Sequence, residues 1–258
     1  MNEMQNKNAL ILGADTIGHG IAIRFAREGA RVAVLDPDAS LAEELAQTIR
    51  ASGGDALAFT TPLDETAGEI VTAAIAQLGG LDVLVNNVLP IPAIGPLERQ
   101  PAAVFAEVFT CIQAAVAAMQ AALPALQSAG GGRIINIGHR YGEGVNEGLA
   151  AYNAAAWSLV GLTRTAALDW GRYQIASNLL LPLADTPELR RYHERRPGVI
   201  DLMIRQLPLE RLGDPVEDIG SAALFLAGDA CTFVNGEVIH ADGGQHVAGP
   251  VLNPARFG

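Results

Sequence analysis

The chain has 258 residues, half of them apolar and 17% charged, which supplies one large α/β core and excludes a disordered chain. A formal charge of −11 and a pI near 4.8 argue against nucleic acid and anionic membrane surfaces as partners, because phosphates would be repelled. Cys111 and Cys231 form neither a CxxC pair nor a secreted disulfide framework, and MNEMQNKNAL lacks the apolar run of a signal peptide, so a cytoplasmic protein is expected.

In chain order, NALILG reads as an apolar strand ending in glycine. IGHGIAIRFAREGA then places Ile17, Ile21 and Phe25 on one helical face before Gly29 stops the helix. RVAVLD, SLAEELAQTIRASGG and DALAF continue the alternation as strand, amphipathic helix and strand. LDVLVNN, an alanine-rich helix from about Pro101 to Gln127, GRIINIG, the helix AAYNAAAWSLVGLTRTAALDW and the strand IASNLLLP follow. No residue is charged from Val108 to Gly132, but glutamines, Pro124 and the closing GGG favour a buried helix over a membrane span. A less regular charged segment leads to a helix in VEDIGSAALFLAG and a last strand in GEVIHADGG. The rhythm predicts α/β architecture: one doubly wound parallel sheet between two helical layers, a single domain over 1–258.

GADTIG, LDVLVNN, GGRIINIG, AAYNAAAWSLVGLTRTAALDW, ASNLLLP, PLERLGDPVEDIGSAALFLAGD and FVNGEVIHADGG, taken together and in this order, resemble the short-chain dehydrogenase/reductase family over nearly the whole chain. The resemblance implies a Rossmann-type sheet, a dimer or tetramer, and hydride exchange between NAD(P) and an alcohol or carbonyl. It also implies a catalytic tyrosine assisted by a lysine four residues later, by a serine and by an asparagine.

Of these four only the tyrosine is present, as Tyr152. Ala156 occupies the lysine position, His139 the serine position and Cys111 the asparagine position. A phenol with a pKa near ~10 is ionised about one part in a thousand at neutral pH, and lowering it by one unit takes about 1.4 kcal/mol. No lysine can supply that help, because Lys7, the only one, precedes the first strand, and Arg164 lies twelve residues further along the helix. Arg140, next to His139, is expected to point to another face.

The cofactor cradle departs from the family as well. Gly13 and Gly18 remain in the first turn, with Thr16 in place of the middle glycine. Leu89 in NNVL, Leu183 after Pro182, and Pro62 in TTPLD replace small or acidic residues that meet the dinucleotide. Asp36 stands where an acid receives the adenosine ribose and favours NAD over NADP, or else starts the next helix. Asn86 is a cofactor candidate or a tie between strands.

His139 is a candidate base or a space-filling neighbour of Tyr152. His19 and His240 read as structural or surface groups, and no metal-ligand spacing is present. Arg190, Arg191, Arg195 and Arg196 fall in the segment that forms the family's substrate lid; they would hold an acyl-CoA phosphate or an acidic partner face, or be a solvated helix end. Trp157 and Trp170 are candidate interface anchors or core residues.

The expectation is therefore a non-catalytic subunit, with Tyr152 and His139 vestigial and Gly13, Gly18, Asp36 and Asn86 a weakened or lost cofactor set. It would assemble, as a hetero-oligomer and expectedly a tetramer, with an active homologous subunit that holds NAD. Such idle subunits occur in heteromeric members of the family, one of which oxidises an acyl-CoA in anaerobic toluene breakdown. The alternatives are an active NAD-dependent oxidoreductase using Tyr152 and His139, and a small-metabolite binding or regulatory module.

Overall fold

The computed structural model describes residues 2–89, 95–139, 147–195 and 198–248. Seven strands form one parallel sheet: β1 (Asn8–Leu12), β2 (Arg31–Asp36), β3 (Asp55–Thr60), β4 (Val83–Asn86), β5 (Gly132–Ile137), β6 (Ile175–Pro182) and β7 (Val238–Ala241). Their order across the sheet is β3-β2-β1-β4-β5-β6-β7. The order reverses between β1 and β4, where Leu12 pairs with both Leu35 and Asn86. In open α/β sheets the crevice beyond the carboxyl ends at such a reversal is where ligands bind.

Parallel strands covered on both faces read as continuous apolar runs rather than alternating ones. Every residue of β6 is buried, Ser177 and Asn178 included. The chain approaching β7 meets the Ser177 backbone and the Asn178 side chain, while the Ser177 hydroxyl is buried without a hydrogen bond. Asn235 Oδ1 accepts the Ser177 N–H at 2.9 Å, and the Asn178 side chain donates to the Val234 carbonyl and accepts from Glu237 N.

The helices α1 (Thr16–Arg27), α2 (Ala39–Ala51), α3 (Ala67–Leu78), α4 (Ala102–Ser128), α5 (Ala150–Trp170), α6 (Pro187–Arg195), α7 (Val199–Gln206) and α8 (Gly220–Ala227) complete the layers. One side packs α1, α2 and α8 on the sheet through Ile21, Phe25, Leu45, Ile49, Ala223 and Leu224. The other packs α3 and α4 through Val71, Ile75, Ala115 and Met119, with Ala166 of α5. A π-helical turn at Pro215–Ile219 runs into α8, and Gly20 of α1 lies against it so closely that a Cβ would stand 2.2 Å from the Pro215 carbonyl oxygen.

By length and composition α4 is apolar enough to cross a bilayer. It instead lies between α3 and α5 with Val108, Ile112, Ala115 and Ala122 buried. Its other face, and that of α5, carries Phe109, Trp157 (46% exposed) and Leu168 (84% exposed) in solvent. Of the two tryptophans, Trp157 is therefore exposed, while Trp170 packs against the core.

Candidate functional site

At the first turn, Gly13 adopts φ +97°, and a Cβ there would stand 1.9 Å from the Asn87 carbonyl oxygen. A Cβ on Gly18 would stand equally close to the Gly13 carbonyl oxygen. Both glycines are thus demanded by packing between the ends of β1, β4 and α1.

The helix begins at Thr16, and the side chain that reaches its N-terminus is that of Asp15. Asp15 Oδ1 accepts the N–H of Ile17 at 3.0 Å, that of Gly18 at 3.3 Å and the Asn87 side-chain amide at 2.7 Å. The same Asn87 amide donates to the Gly13 carbonyl at 3.2 Å. An Asp15–Asn87 link therefore bridges the crevice between β1 and β4. The sequence placed the altered glycine at Thr16; the structure gives the decisive side chain to Asp15, which the sequence reading passed over. A Gly-x-Asp-x-x-Gly spacing with aspartate directly before a helix was the available signal.

Asp36, 7% exposed, accepts the Ala14 N–H on one carboxylate oxygen at 2.7 Å and the Asp38 N–H on the other at 2.8 Å. It ties the end of β2 to the glycine turn. The helix-starting role weighed for it belongs to Asp38, whose side chain accepts from Ser40 N. Asn86 is buried and points along the sheet: its amide donates to Asn136 Oδ1 at 2.9 Å, and Asn136 in turn donates to Thr163 Oγ1 at 2.8 Å. It ties β4 to β5, and through Asn136 to α5, rather than facing the crevice.

Tyr152 and Ala156 are one turn apart on α5, each 1% exposed, in a cluster with Leu149. Leu89 packs against that cluster. The leucine side chain thus lies beside the position where the resemblance calls for a lysine. His139 stands edge-on to the Tyr152 ring, with centroids 5.9 Å apart and planes at 85°, so the structure does bring these two together. Arg140 lies outside the described residues.

Other candidates lie apart. Cys111, on the buried face of α4, has its thiol pKa pushed up by burial and then by the nearby Glu107 charge, away from nucleophilic use. Arg164 is exposed and about 18 Å further along α5 at 1.5 Å per residue. Lys7 pairs with Asp229 at 2.7 Å at the amino edge of the sheet, a full strand length from Tyr152. Arg190 is engaged by Asp185 through two bonds of 2.8 and 2.6 Å; Arg191 is exposed on α6, the Arg195 side chain is outside the description, and Arg196 lies outside the described residues. His240 stacks on His246 at 3.9 Å, and burial lowers the His19 pKa. Leu183 is buried and Pro62 exposed. Among the described residues no three His, Cys, Asp or Glu side chains converge as metal ligands. A cavity of about 730 Å³ opens at the amino edge beside Lys7, Arg133, Gln174 and Asp229, at the opposite end of the strands from Tyr152.

The family profile described as Enoyl-(Acyl carrier protein) reductase matches residues 12–246. A 2,5-dichloro-2,5-cyclohexadiene-1,4-diol dehydrogenase of Sphingobium indicum is 33% identical over 251 residues, covering 95% of this chain and 98% of its own. A 12alpha-hydroxysteroid dehydrogenase of a Clostridium species is 31% identical over 256 residues, covering 95% and 98%. A Beutenbergia cavernae structure with NADP at low occupancy, described as an NAD(P)-dependent gluconate 5-dehydrogenase, superposes with a TM-score of 0.88 at 29% identity, over 95% of this chain and 99% of that one.

The chain belongs to the short-chain dehydrogenase/reductase family.

This is a family of oxidoreductases whose members bind NAD(P), and the single Rossmann-type sheet anticipated from the sequence is present. This short-chain dehydrogenase/reductase carries an Asp15 carboxylate at the α1 N-terminus, and it has Leu89 packed against Ala156, where the family's chemistry calls for a lysine cation.

Proposed function

We propose that this chain is a non-catalytic short-chain dehydrogenase/reductase subunit that assembles with, and supports, an active homologous NAD-dependent alcohol dehydrogenase subunit. The observation that carries the reading is the Tyr152–Ala156 turn. The tyrosine is sealed at 1% exposure, alanine replaces the cation that would lower its pKa, and Leu89 packs on the pair. Alanine at this place takes away the lysine ammonium that assists the tyrosine in the family.

The crevice is also altered for a dinucleotide, since Thr16 stands for the middle glycine of the phosphate turn and Leu89 packs beside Ala156. In this reading the NAD is held by the partner. Assembly draws support from the exposed Phe109, Trp157 and Leu168 on α4 and α5, an apolar face whose occupant is a homologous subunit, and a heterotetramer would cover it twice. The partner's substrate class, following the resemblance to heteromeric family members, is an alcohol carried on an acyl-CoA. Both cysteines are free and buried, which suits a reducing cytoplasm.

The test is co-expression with a homologous short-chain dehydrogenase/reductase encoded beside it, followed by purification of the complex. Tyr152→Phe in this chain leaves NAD-dependent turnover of the complex unchanged, whereas replacing the partner's own catalytic tyrosine abolishes it. A stable homomer that oxidises an alcohol with NAD, and loses that activity in Tyr152→Phe, would refute the proposal. It would establish instead the second reading, favoured by the edge-on His139–Tyr152 contact: an active oxidoreductase in which His139 polarises the oxygen.

A further inference from the structure

We propose that the cavity at the amino edge of the sheet is a ligand site separate from the Tyr152 crevice, and that it takes a zwitterion of the α-amino-acid class with an apolar side chain. It lies at the opposite end of the strands from Tyr152, so the proposal stands independently of the idle-subunit reading.

The cavity holds about 730 Å³, a size that suits a small organic ligand. Gly130, Gly131 and Gly132 contribute only backbone to its wall. The C-terminal ends of α4, α5 and α8 frame it through Ala129, Gly171 and Ala227. Helix C-termini present carbonyls without intrahelical partners and the negative end of the dipole, so this frame favours a positive group.

Four charged side chains line the same space: Lys7, Asp82, Arg133 and Asp229. Lys7 and Asp229 pair at 2.7 Å and offset one another. The other two are left over. Arg133 Nη1 donates to the carbonyl of its neighbour Gly132 at 3.0 Å, its Nε is buried without a bond, and no carboxylate pairs with it among the described residues. Asp82 Oδ2 accepts the Asn8 N–H at 2.7 Å, and no basic side chain pairs with it among the described residues. The sheet register brings these two residues to one edge, where Arg133 N donates to the Asp82 carbonyl at 2.9 Å. A cation and a carboxylate thus share one cavity without pairing.

Half-buried polar groups left without partners call for an explanation, and a ligand carrying both charges supplies one. Its carboxylate accepts from the Arg133 guanidinium, whose planar fork matches that shape. Its ammonium meets Asp82 and the helix-end carbonyls. A phosphate would instead bring its negative charge against Asp82, Asp229 and three helix C-termini, and a simple amine would leave Arg133 unmet. Phe233, fully exposed although it lines the cavity, offers a ring face to an apolar side chain.

L-Phenylalanine is the probe, measured by calorimetry and thermal shift on the purified full chain. Hydrocinnamate, which lacks the ammonium, and phenethylamine, which lacks the carboxylate, are measured beside it. L-Phenylalanine is expected to bind with a Kd of about 1 mM or tighter and to raise the unfolding midpoint. Arg133→Gln, Asp82→Asn and each analogue are expected to weaken binding by about tenfold or more, since each removes one charged contact. Asparagine keeps an oxygen for the Asn8 N–H; should that variant still fail to fold, Arg133→Gln decides alone.

Parent protein that gives neither heat nor a shift with L-phenylalanine up to about 10 mM overturns the proposal. So does hydrocinnamate or phenethylamine binding as tightly as L-phenylalanine. Folded Arg133→Gln, with unchanged circular dichroism and undiminished affinity, overturns it as well. None of these outcomes bears on turnover by the assembled complex.

Discussion

If the Tyr152 end of the crevice is sealed, restoring the missing lysine should harm the protein in a pH-dependent way. Ala156 is 1% exposed and lies among Leu149, Tyr152 and Leu89. Ala156→Lys forces three methylenes and an ammonium into that cluster, an overpacking that costs about 1–3 kcal/mol. The ammonium adds more. Burial lowers a lysine pKa by up to ~3–5 units, so a folded-state value near or below ~7 follows, against ~10.4 unfolded. At pH 7 the unfolded chain then holds a proton that the folded chain has lost, and the charge contributes roughly 5 kcal/mol of destabilisation at about 1.4 kcal/mol per unit. The sign is fixed: with the folded pKa depressed, the variant gains stability as pH rises. Between about pH 7 and pH 9.5 it should recover roughly 3.4 kcal/mol relative to parent. Urea unfolding of both proteins at the two pH values measures this as a double difference, and adding Leu89→Gly should shrink it by giving the ammonium room. Ala156→Lys as stable as parent at pH 7, with no added pH slope, would refute the reasoning, for the ammonium would then reach water or a carboxylate and the crevice would be open.

Asn136→Ala removes the middle of the Asn86–Asn136–Thr163 chain and leaves the Asn86 amide and the Thr163 hydroxyl buried without it, so a loss of about 2–4 kcal/mol in chemical unfolding is expected. Asp242 is 2% exposed, and although burial works to raise its pKa, hydrogen bonds from the His246 ring and backbone and from Gly244 hold it below the usual value. Because the folded value is depressed, that stability is present above ~3.9 and lost as pH falls through the folded pKa, so His246→Ala should move the acid-unfolding midpoint to higher pH. Burial pushes both Cys111 and Cys231 thiols up; in native protein near neutral pH neither should react readily with a disulfide reagent, and both should react after unfolding.

The elements were legible because each is driven by a local pattern. IASNLLLP is a strand from first residue to last, and AAYNAAAWSLVGLTRTAALDW a helix over its full length, since one is a continuous buried run between turns and the other an alanine-rich stretch between Gly148 and Gly171. The retained Tyr152 and the substitutions at Ala156, Leu89 and His139 were legible by position, and the structure brings all four together. What escaped depends on where a side chain points after folding. The helix-starting role weighed for Asp36 falls to Asp38, two residues on, because only tertiary packing shows that Asp36 faces Ala14. Asp15 was hidden for the same reason: its partner Asn87 comes from a strand 72 residues away. Arg190 reads as part of a free cationic cluster until Asp185 is found across the start of α6.

The pattern of what has stayed and what has gone separates the demands of the fold from those of the ligand. Gly13 and Gly18 remain, and each has backbone where its Cβ would be, so either could be lost only by opening the strand-turn-helix junction. The middle glycine of the same fingerprint serves the approach of a pyrophosphate, and Thr16 stands in its place. Asn86 remains, and its amide holds two central strands; the lysine four residues after Tyr152 has no comparable structural bond to make, and alanine stands there. Retention therefore tracks protein contacts, and loss tracks contacts that only a dinucleotide or an alcohol would complete. Exposed Phe109, Trp157 and Leu168 fit the same division under the proposed assembly, since a surface that met another subunit would be a packing demand too.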